Sequence, residues 1–294
     1  MTSRIDLRPR RSVLYLPSSN TRALHKAQQL AADTLIFDLE DAVAPQAKST
    51  AREQACGAVS SGLYGHRELV IRCNGLGTPW GPADVAAIAT SGAAAVVVPK
   101  VRDVDDLQAV DAALRRAGAP ENLAVWAMIE TPAALFSLRG IAAFPRVAAL
   151  VLGTNDLAYE LHATVTPDRA SLLPHLAVTL AAARAAGVAA LDGVFNNIRD
   201  LTGFEAECRQ GAALGFDGKS LIHPDQVPIA NRVWSPTADE ISRAARVIEA
   251  YETAVRNGRG VAVLDGTLVE SLHVETARRT LAVAEANSYV ASTS

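Results

Sequence analysis

The sequence predicts an α/β protein, a (β/α)₈ TIM barrel with a C-terminal helical extension, and three observations carry that prediction. Eight short runs rich in Val, Ile and Leu alternate with helix-like segments along a chain of 294 residues. The runs lack strict polar–apolar alternation, as expected of parallel strands covered on both faces. No G-x-G-x-x-G follows the first run and no halfway shift in composition occurs, so a doubly wound sheet is the second choice.

In chain order, SVLYLP (12–17) is the first strand, cut short by Pro17, and LHKAQQLAA (24–32) its helix. TLIFDL (34–39) leads to KSTAREQACGAV (48–59), ELVIRCN (68–74) to PADVAAIATSG (82–92), and AAVVVPK (94–100) to DVDDLQAVDAALRR (103–116). In that last helix Val104, Leu107, Val110 and Leu114 recur along one side. LAVWAMIE (123–130) leads to PAALFSLRG, AALVLGTND (148–156) to LLPHLAVTLAAARAAG, and VAALDGV (188–194) to GFEAECRQGAALG. After GKSLIHP (218–224), the stretch SPTADEISRAARVIEAYETAV has the Ser-Pro start of a helix and supplies the expected eighth outer helix. Residues 1–256 are thus the expected barrel domain. Residues 257–294, a short β-like piece and a final helix, exceed what a barrel needs and are expected to pack on a neighbouring subunit.

A formal net charge of −3 gives no basic field for a phosphate backbone, which excludes nucleic acid as the expected partner. Arg4, Arg8, Arg10 and Arg11 make only the start locally basic; it reads as a solvated, partly disordered terminus, with Arg11 near enough to the first strand to serve a site. Cys56, Cys73 and Cys208 are widely separated and form no C-x-x-C pair, which fits a reducing cytoplasm. No run approaches the roughly 20 uncharged residues that span a bilayer, so a soluble cytoplasmic protein is expected.

Barrels of this class do their chemistry at the C-terminal mouth of the strands, and polar residues cluster there. Asp38, Glu40 and Asp41 follow the second strand, Arg72 and Asn74 end the third, and Lys100 ends the fourth; Glu130, Asn155 with Asp156, Asp192 and His223 end the next four. A carboxylate in an apolar layer costs several kcal/mol unless neutralised or hydrogen-bonded, so this acidic rim needs a cation: Arg72, Lys100 or a metal ion. Glu130 and Asp156, on adjacent strand ends without a nearby His or Cys, suit Mg²⁺, which takes about six oxygen ligands and keeps water or substrate among them. A helix cap for Glu130 and a salt bridge for Asp156 fit the same spacing, since Thr131-Pro132 is an N-cap followed by an N1 proline. Arg72 reads as a clamp on a substrate carboxylate or enolate oxygen, or as the ion-pair partner of Asp38 or Glu40. One acid of Asp38, Glu40 and Asp41 is expected to orient Arg72 or a metal-bound water. Lys100 reads as a bridge to the acidic rim rather than a Schiff base, His223 as an ordered strand-end residue, and Asp192 as a rim hydrogen-bonder.

The runs RSVLYLP, DLEDAV, VIRCNGLGTPWGPADV, VVVPKV, MIETPAAL, GTNDLAYEL and LDGVFNNIRDLTGFEAECRQGAALGFDGKSLIHPDQV, in this order over residues 11 to about 250, resemble the citrate lyase beta subunit and malyl-CoA lyase family. The resemblance implies a trimeric or hexameric TIM barrel that makes or breaks a carbon–carbon bond beside a thioester with Mg²⁺. It implies Glu130 and Asp156 as metal ligands, Glu130 also facing the substrate, Arg72 as the substrate-binding arginine, and a C-terminal segment closing over a neighbour's site. That segment reads LDGTLVESLH here, with Glu270 where the family's lyase branch has its catalytic Asp, Thr267 for Lys and Leu272 for Pro. PSSN stands where the family commonly has Gly after the Pro.

The expected reaction is therefore Mg²⁺-dependent cleavage of a malyl-, citramalyl- or citryl-CoA-type thioester, on CoA or an acyl carrier protein, to an acyl thioester and a 2-oxo acid. Arg72 would stabilise the enolate, with Asp38 as its partner, and Glu270 would protonate it. Thioester hydrolysis at the same metal is the alternative, and a non-catalytic subunit of a larger complex the third reading.

Overall fold

The computed structural model describes residues 8–292, with side chains through residue 288; Arg4 and most of the terminus expected to be disordered lie outside the described residues. These residues form two compact units, one of residues 10–232 and one of residues 8–9 with 233–292. In the first, eight parallel strands close a barrel in chain order, as the sequence predicts. They are β1 (Ser12–Pro17), β2 (Thr34–Asp38), β3 (Glu68–Arg72), β4 (Ala95–Val98), β5 (Ala124–Ile129), β6 (Val147–Leu152), β7 (Ala189–Asp192) and β8 (Gly218–Leu221). Closure comes from β1 against β8, with Ser12 opposite Lys219.

The helices of this unit are α1 (Thr21–Ala27), α2 (Lys48–Ser60), α3 (Gly81–Ala89), α4 (Val104–Arg116), α5 (Pro132–Ala143), α6 (Thr154–Glu160), α7 (Leu173–Ala186), α8 (Leu201–Leu214) and α9 (Val227–Val233). Local chemistry sets their ends. Asp103 accepts the backbone N–H groups of Asp105 and Asp106 to start α4, Thr131 accepts that of Ala134 to start α5, and α7 stops at left-handed Gly187.

The interior is filled by alternate residues of successive strands. Val13, Ile36, Val70, Ala95, Val97, Trp126, Met128, Ala149, Val151 and Leu191 form one buried cluster, and the two-residue step along each strand is what aims them inward. At the N-terminal end the cluster is sealed by a charge pair. Arg10 donates to both oxygens of Glu68 at 2.6 and 2.7 Å and lies 5.3 Å from the centre of the Trp126 ring. Arg11 pairs with Asp33 at 2.7 Å. Arg10 and Arg11 therefore differ from the solvated residues expected, since both find carboxylates at the strand starts.

A second buried charge cluster joins β7, β8 and α8. Asp192 accepts from Arg169 at 2.8 and 2.9 Å and from Lys219 at 2.9 Å, and Lys219 also donates to Glu207 at 2.6 Å. Asp192 and Lys219 are fully buried and face each other in register. Asp192 is thus a core ion-pair residue, not the rim hydrogen-bonder its strand-end position suggested. Burial works against its charge, but Lys219 and Arg169 hold the carboxyl below its usual range.

The second unit contains α10 (Ala238–Arg256), a hairpin of β9 (Ala262–Leu264) and β10 (Thr267–Val269), and α11 (Ser271–Ser292). Thr237 and Glu240 cap α10 reciprocally. Asp265 and Gly266, both at positive φ, form the tight turn that an Asp-Gly pair favours. Ala244, Val247 and Ala254 of α10 pack with Ala262, Val269, Val274 and Ala277. This shared core explains why the helix expected to complete the outer ring groups with the C-terminal elements.

Replacing one partner of the balanced cluster leaves a buried charge unpaired. Asp192→Ala is expected to lower stability by about 3–5 kcal/mol, measured by equilibrium urea denaturation.

Candidate active site

The inward step that builds the core continues past it into a cavity of about 320 Å³, whose lining includes Tyr15, Asp38, Arg72, Met128, Glu130 and Asp156. Two residues beyond Ile36 comes Asp38, two beyond Val70 comes Arg72, and two beyond Met128 comes Glu130. The structure therefore gathers Arg72, Asp38, Glu130 and Asp156 at one mouth. Glu270 belongs to the second unit, where its backbone N–H donates to Nδ1 of His273 at 2.9 Å ahead of α11.

Arg72 and Asp38 are register partners across β2 and β3. Nε and Nη2 of the arginine donate to the two Asp38 oxygens at 2.6 and 2.7 Å, a bidentate geometry that fixes the guanidinium plane. Asp38 also accepts the N–H groups of Glu40 and Ala42, so it shapes the loop as well as the arginine. Nη1 lies 2.8 Å from Glu40 Oε2 and 3.4 Å from Asp41. The guanidinium also lies 4.9 Å from the centre of the Tyr15 ring. Of the three acids after β2, Asp38 makes the bidentate contact that sets the guanidinium plane, while Glu40 and Asp41 meet Nη1.

Buried Lys48 holds this acidic loop from beneath. Its Nζ donates to the Leu39 and Glu40 carbonyls at 2.8 and 2.7 Å and to Asn74 Oδ1 at 2.8 Å, over the face of Trp80. Burial pushes the Glu40 carboxyl up to about 8, with Arg72 opposing and Asp41 adding to the shift.

Glu130 follows β5 directly and is 1% exposed. Its Oε1 accepts the Lys100 backbone N–H at 2.7 Å, an approach made by Lys100 in the left-handed region at φ 52°. A Cβ at position 153 would stand 2.3 Å from Glu130 Oε2, so Gly153 is required by close approach. Burial pushes the Glu130 carboxyl up to about 7; the Lys100 N–H offsets part of this and Asp156 adds to it.

Asp156 is displaced from its expected place. β6 stops at Leu152 and α6 begins at Thr154, so Asp156 lies in the first helical turn rather than at the strand end. The helix start favours an anion there. Lys100 Nζ lies 3.6 Å from it, the bridge to the rim expected of that lysine. His223 is a strand-end cap whose Nδ1 accepts the Asp225 N–H, in line with its ordered, non-catalytic reading.

Glu130 and Asp156 offer only oxygen donors, and burial raises the carboxyl of the first to about 7. Among the described residues no group of three or more His, Cys, Asp and Glu gathers to hold a metal, so a cation bound by this pair keeps most positions for water or ligand. That donor set suits Mg²⁺.

Four residues escaped the sequence reading: Tyr15, Met128, Lys48 and Asn196. The first two sit in apolar strand runs and look like core; the two-residue step from Val13 and from Trp126 was their available signal. Asn196 exchanges hydrogen bonds with Asn155 at 2.7 and 3.2 Å across the rim, and nothing in its local sequence announces that.

Barrel and mouth together define a (β/α)₈ enzyme with an arginine and oxygen-donor acids at its C-terminal face. The chain belongs to the HpcH/HpaI aldolase/citrate lyase family, whose sequence model matches residues 11–224. It is 50% identical over 278 residues to a (3S)-malyl-CoA thioesterase of Cereibacter sphaeroides, with 95% of each chain covered. It is 35% identical over 284 residues to citrate lyase subunit beta of Escherichia coli, covering 95% of this chain and 94% of that one. The crystal structure of CitE from Mycobacterium tuberculosis in complex with magnesium, acetoacetate and coenzyme A superimposes with a TM-score of 0.75 at 29% identity, covering 93% of this chain and 97% of that chain. These findings bear out the family resemblance and the barrel fold.

The raised Glu130 carboxyl has a stability consequence. Its ordinary value is 4.5 and its folded value about 7, so without divalent cations the fold loses stability as pH rises through that interval. Glu130→Gln is expected to gain about 3 kcal/mol relative to the unsubstituted protein between pH 4 and pH 8 in EDTA, read from denaturant midpoints.

Proposed function

We propose that the protein is a Mg²⁺-dependent carbon–carbon lyase acting on a 3-hydroxyacyl thioester that also bears a carboxylate, of the malyl-, citramalyl- or citryl-CoA type. The observation that carries this reading is the meeting of Glu130, Asp156 and the Asp38-held Arg72 in one cavity. The magnesium and coenzyme A named for the M. tuberculosis relative support the cofactor and the thiol carrier; an acyl carrier protein is the variant.

Glu130 and Asp156 would hold the metal, and Glu130 would also face the substrate. Bound Mg²⁺ would supply Lewis acidity toward the oxygens of a hydroxy acid. Arg72 meets the negative charge that appears as the carbon–carbon bond breaks, and Asp38 keeps its guanidinium in place. The cavity's apolar residues Met128 and Leu152 limit water around that charge. Glu270 is assigned the proton that the enolate carbon takes up, standing where the family's acid is expected.

Residues 1–256 are read as the catalytic domain and 257–294 as an extension that serves a neighbouring subunit of a homotrimer or homohexamer. Exposed Val263 and Leu268, partners across the β9–β10 hairpin that precedes Glu270, and exposed Leu272 two residues after it support that assignment, since clustered exposed apolar residues mark contact surfaces. No described helix is long and apolar enough to cross a membrane, and the three cysteines are unpaired, which supports a reducing, cytoplasmic setting.

Thioester hydrolysis is the second reading, favoured by one observation: the relatives that carry the thioesterase name are 50% identical, against 35% for the E. coli citrate lyase subunit. With malyl-, citramalyl- and citryl-CoA and Mg²⁺, lyase activity is expected to release a 2-oxo acid without free thiol, and hydrolysis free thiol without 2-oxo acid. Turnover is expected to vanish in EDTA and in a folded Glu130→Ala protein. Full activity in EDTA would refute the metal-dependent reading, and no turnover of any of the three esters would leave the non-catalytic subunit.

A further inference from the structure

Two hydrogen-bond donors of the cavity converge on one poor acceptor. Arg72 Nη1 lies 3.9 Å from Met128 Sδ, and the Tyr15 hydroxyl lies 3.8 Å from the same sulfur. A thioether accepts hydrogen bonds weakly, and among the described residues it is the acceptor that the Tyr15 hydroxyl finds. Nε and Nη2 are bound to Asp38, and Nη1 also lies 2.8 Å from Glu40 Oε2 and 3.4 Å from Asp41 Oδ2. Nη1 carries two N–H bonds, so one serves the acids while the other is turned to the Met128 sulfur in the cavity, and Tyr15 supplies the second donor beside it.

We infer that Tyr15 is a further catalytic residue: its O–H and Arg72 Nη1–H form a two-donor site for the oxyanion of the thioester carbonyl, and that oxygen displaces the Met128 thioether. Both donors rest on rigid strands, β1 and β3, and the tyrosine ring is held against the guanidinium. Donors fixed in advance at the place where charge develops are what stabilises such an oxygen.

The inference rests on the acyl-thioester reading but not on which bond breaks. In carbon–carbon cleavage the electron pair of the breaking bond passes through the α-carbon onto the carbonyl oxygen, and it returns when that carbon is protonated. In hydrolysis the charge reaches the same oxygen as water adds to the carbonyl carbon with loss of a proton, and it leaves with the thiolate. Both routes ask for the same two donors.

Tyr15→Phe keeps the ring against Arg72 and removes only the hydroxyl. The expected result with the ester that the unsubstituted protein turns over best is a fall in kcat of about 100-fold. KM, the Kd for Mg²⁺ by calorimetry and Tm are expected to stay within about twofold or two degrees. A fall in kcat of less than tenfold would overturn the inference. So would a larger fall accompanied by weaker Mg²⁺ binding or a lower Tm, which would mark a packing role. An unsubstituted protein inactive on malyl-, citramalyl- and citryl-CoA would remove the functional reading and this inference with it, whereas an active one paired with an unimpaired Tyr15→Phe would remove the inference alone.

Discussion

The mouth of this barrel depends on one ion pair, Arg72 with Asp38, formed between register partners on adjacent strands. An arginine pointing into an apolar cylinder needs an anion at bonding distance, and an aspartate two residues past Ile36 needs a cation. Each makes the other tolerable. Once paired, Asp38 still has capacity for the N–H groups of Glu40 and Ala42, so the pair also sets the path of the chain leaving β2. Lys48 then fixes that path from below through the carbonyls of Leu39 and Glu40.

Two charge clusters of opposite character lie near the strand ends. Around Asp192 the account balances, with Arg169 and Lys219 facing Asp192 and Glu207. Around Glu130 it does not: the carboxylates of Asp38, Glu40, Asp41, Glu130 and Asp156 face the side chains of Arg72 and Lys100. A balanced cluster is a structural device. Burial, with neighbouring carboxylates adding to it, pushes the Glu40 and Glu130 carboxyls up, a perturbation of the kind that clusters at functional sites.

Much of this architecture is legible in the sequence because it follows from periodicity. All eight strands fall where the Val-, Ile- and Leu-rich runs end in polar residues, and the start of α5 is written in Thr131-Pro132. Asp156 lies one element later than LVLGTND suggests, since β6 ends at Leu152; the glycine that follows is required by the Glu130 carboxylate packed against it, a contact the local sequence does not announce. Arg10 looked solvated because its partner Glu68 lies 58 residues away. Tyr15 looks like core because an aromatic in an apolar strand usually is, and only the folded barrel reveals that its ring lies against Arg72. Which bond of a thioester breaks is not written in these side chains, since both reactions place charge on the same oxygen.

The seal at the opposite end has a consequence for traffic. Arg10, Glu68 and Trp126 close the floor of a barrel whose interior is already filled with side chains, so the cavity at the mouth has no route through the cylinder. Whatever enters must come out by the doorway it used. Were a bound molecule split in two there, as the proposed reaction requires, the fragment lodged deeper would wait its turn behind the one nearer the exit, and departure would acquire an order that a tube open at both ends would not impose.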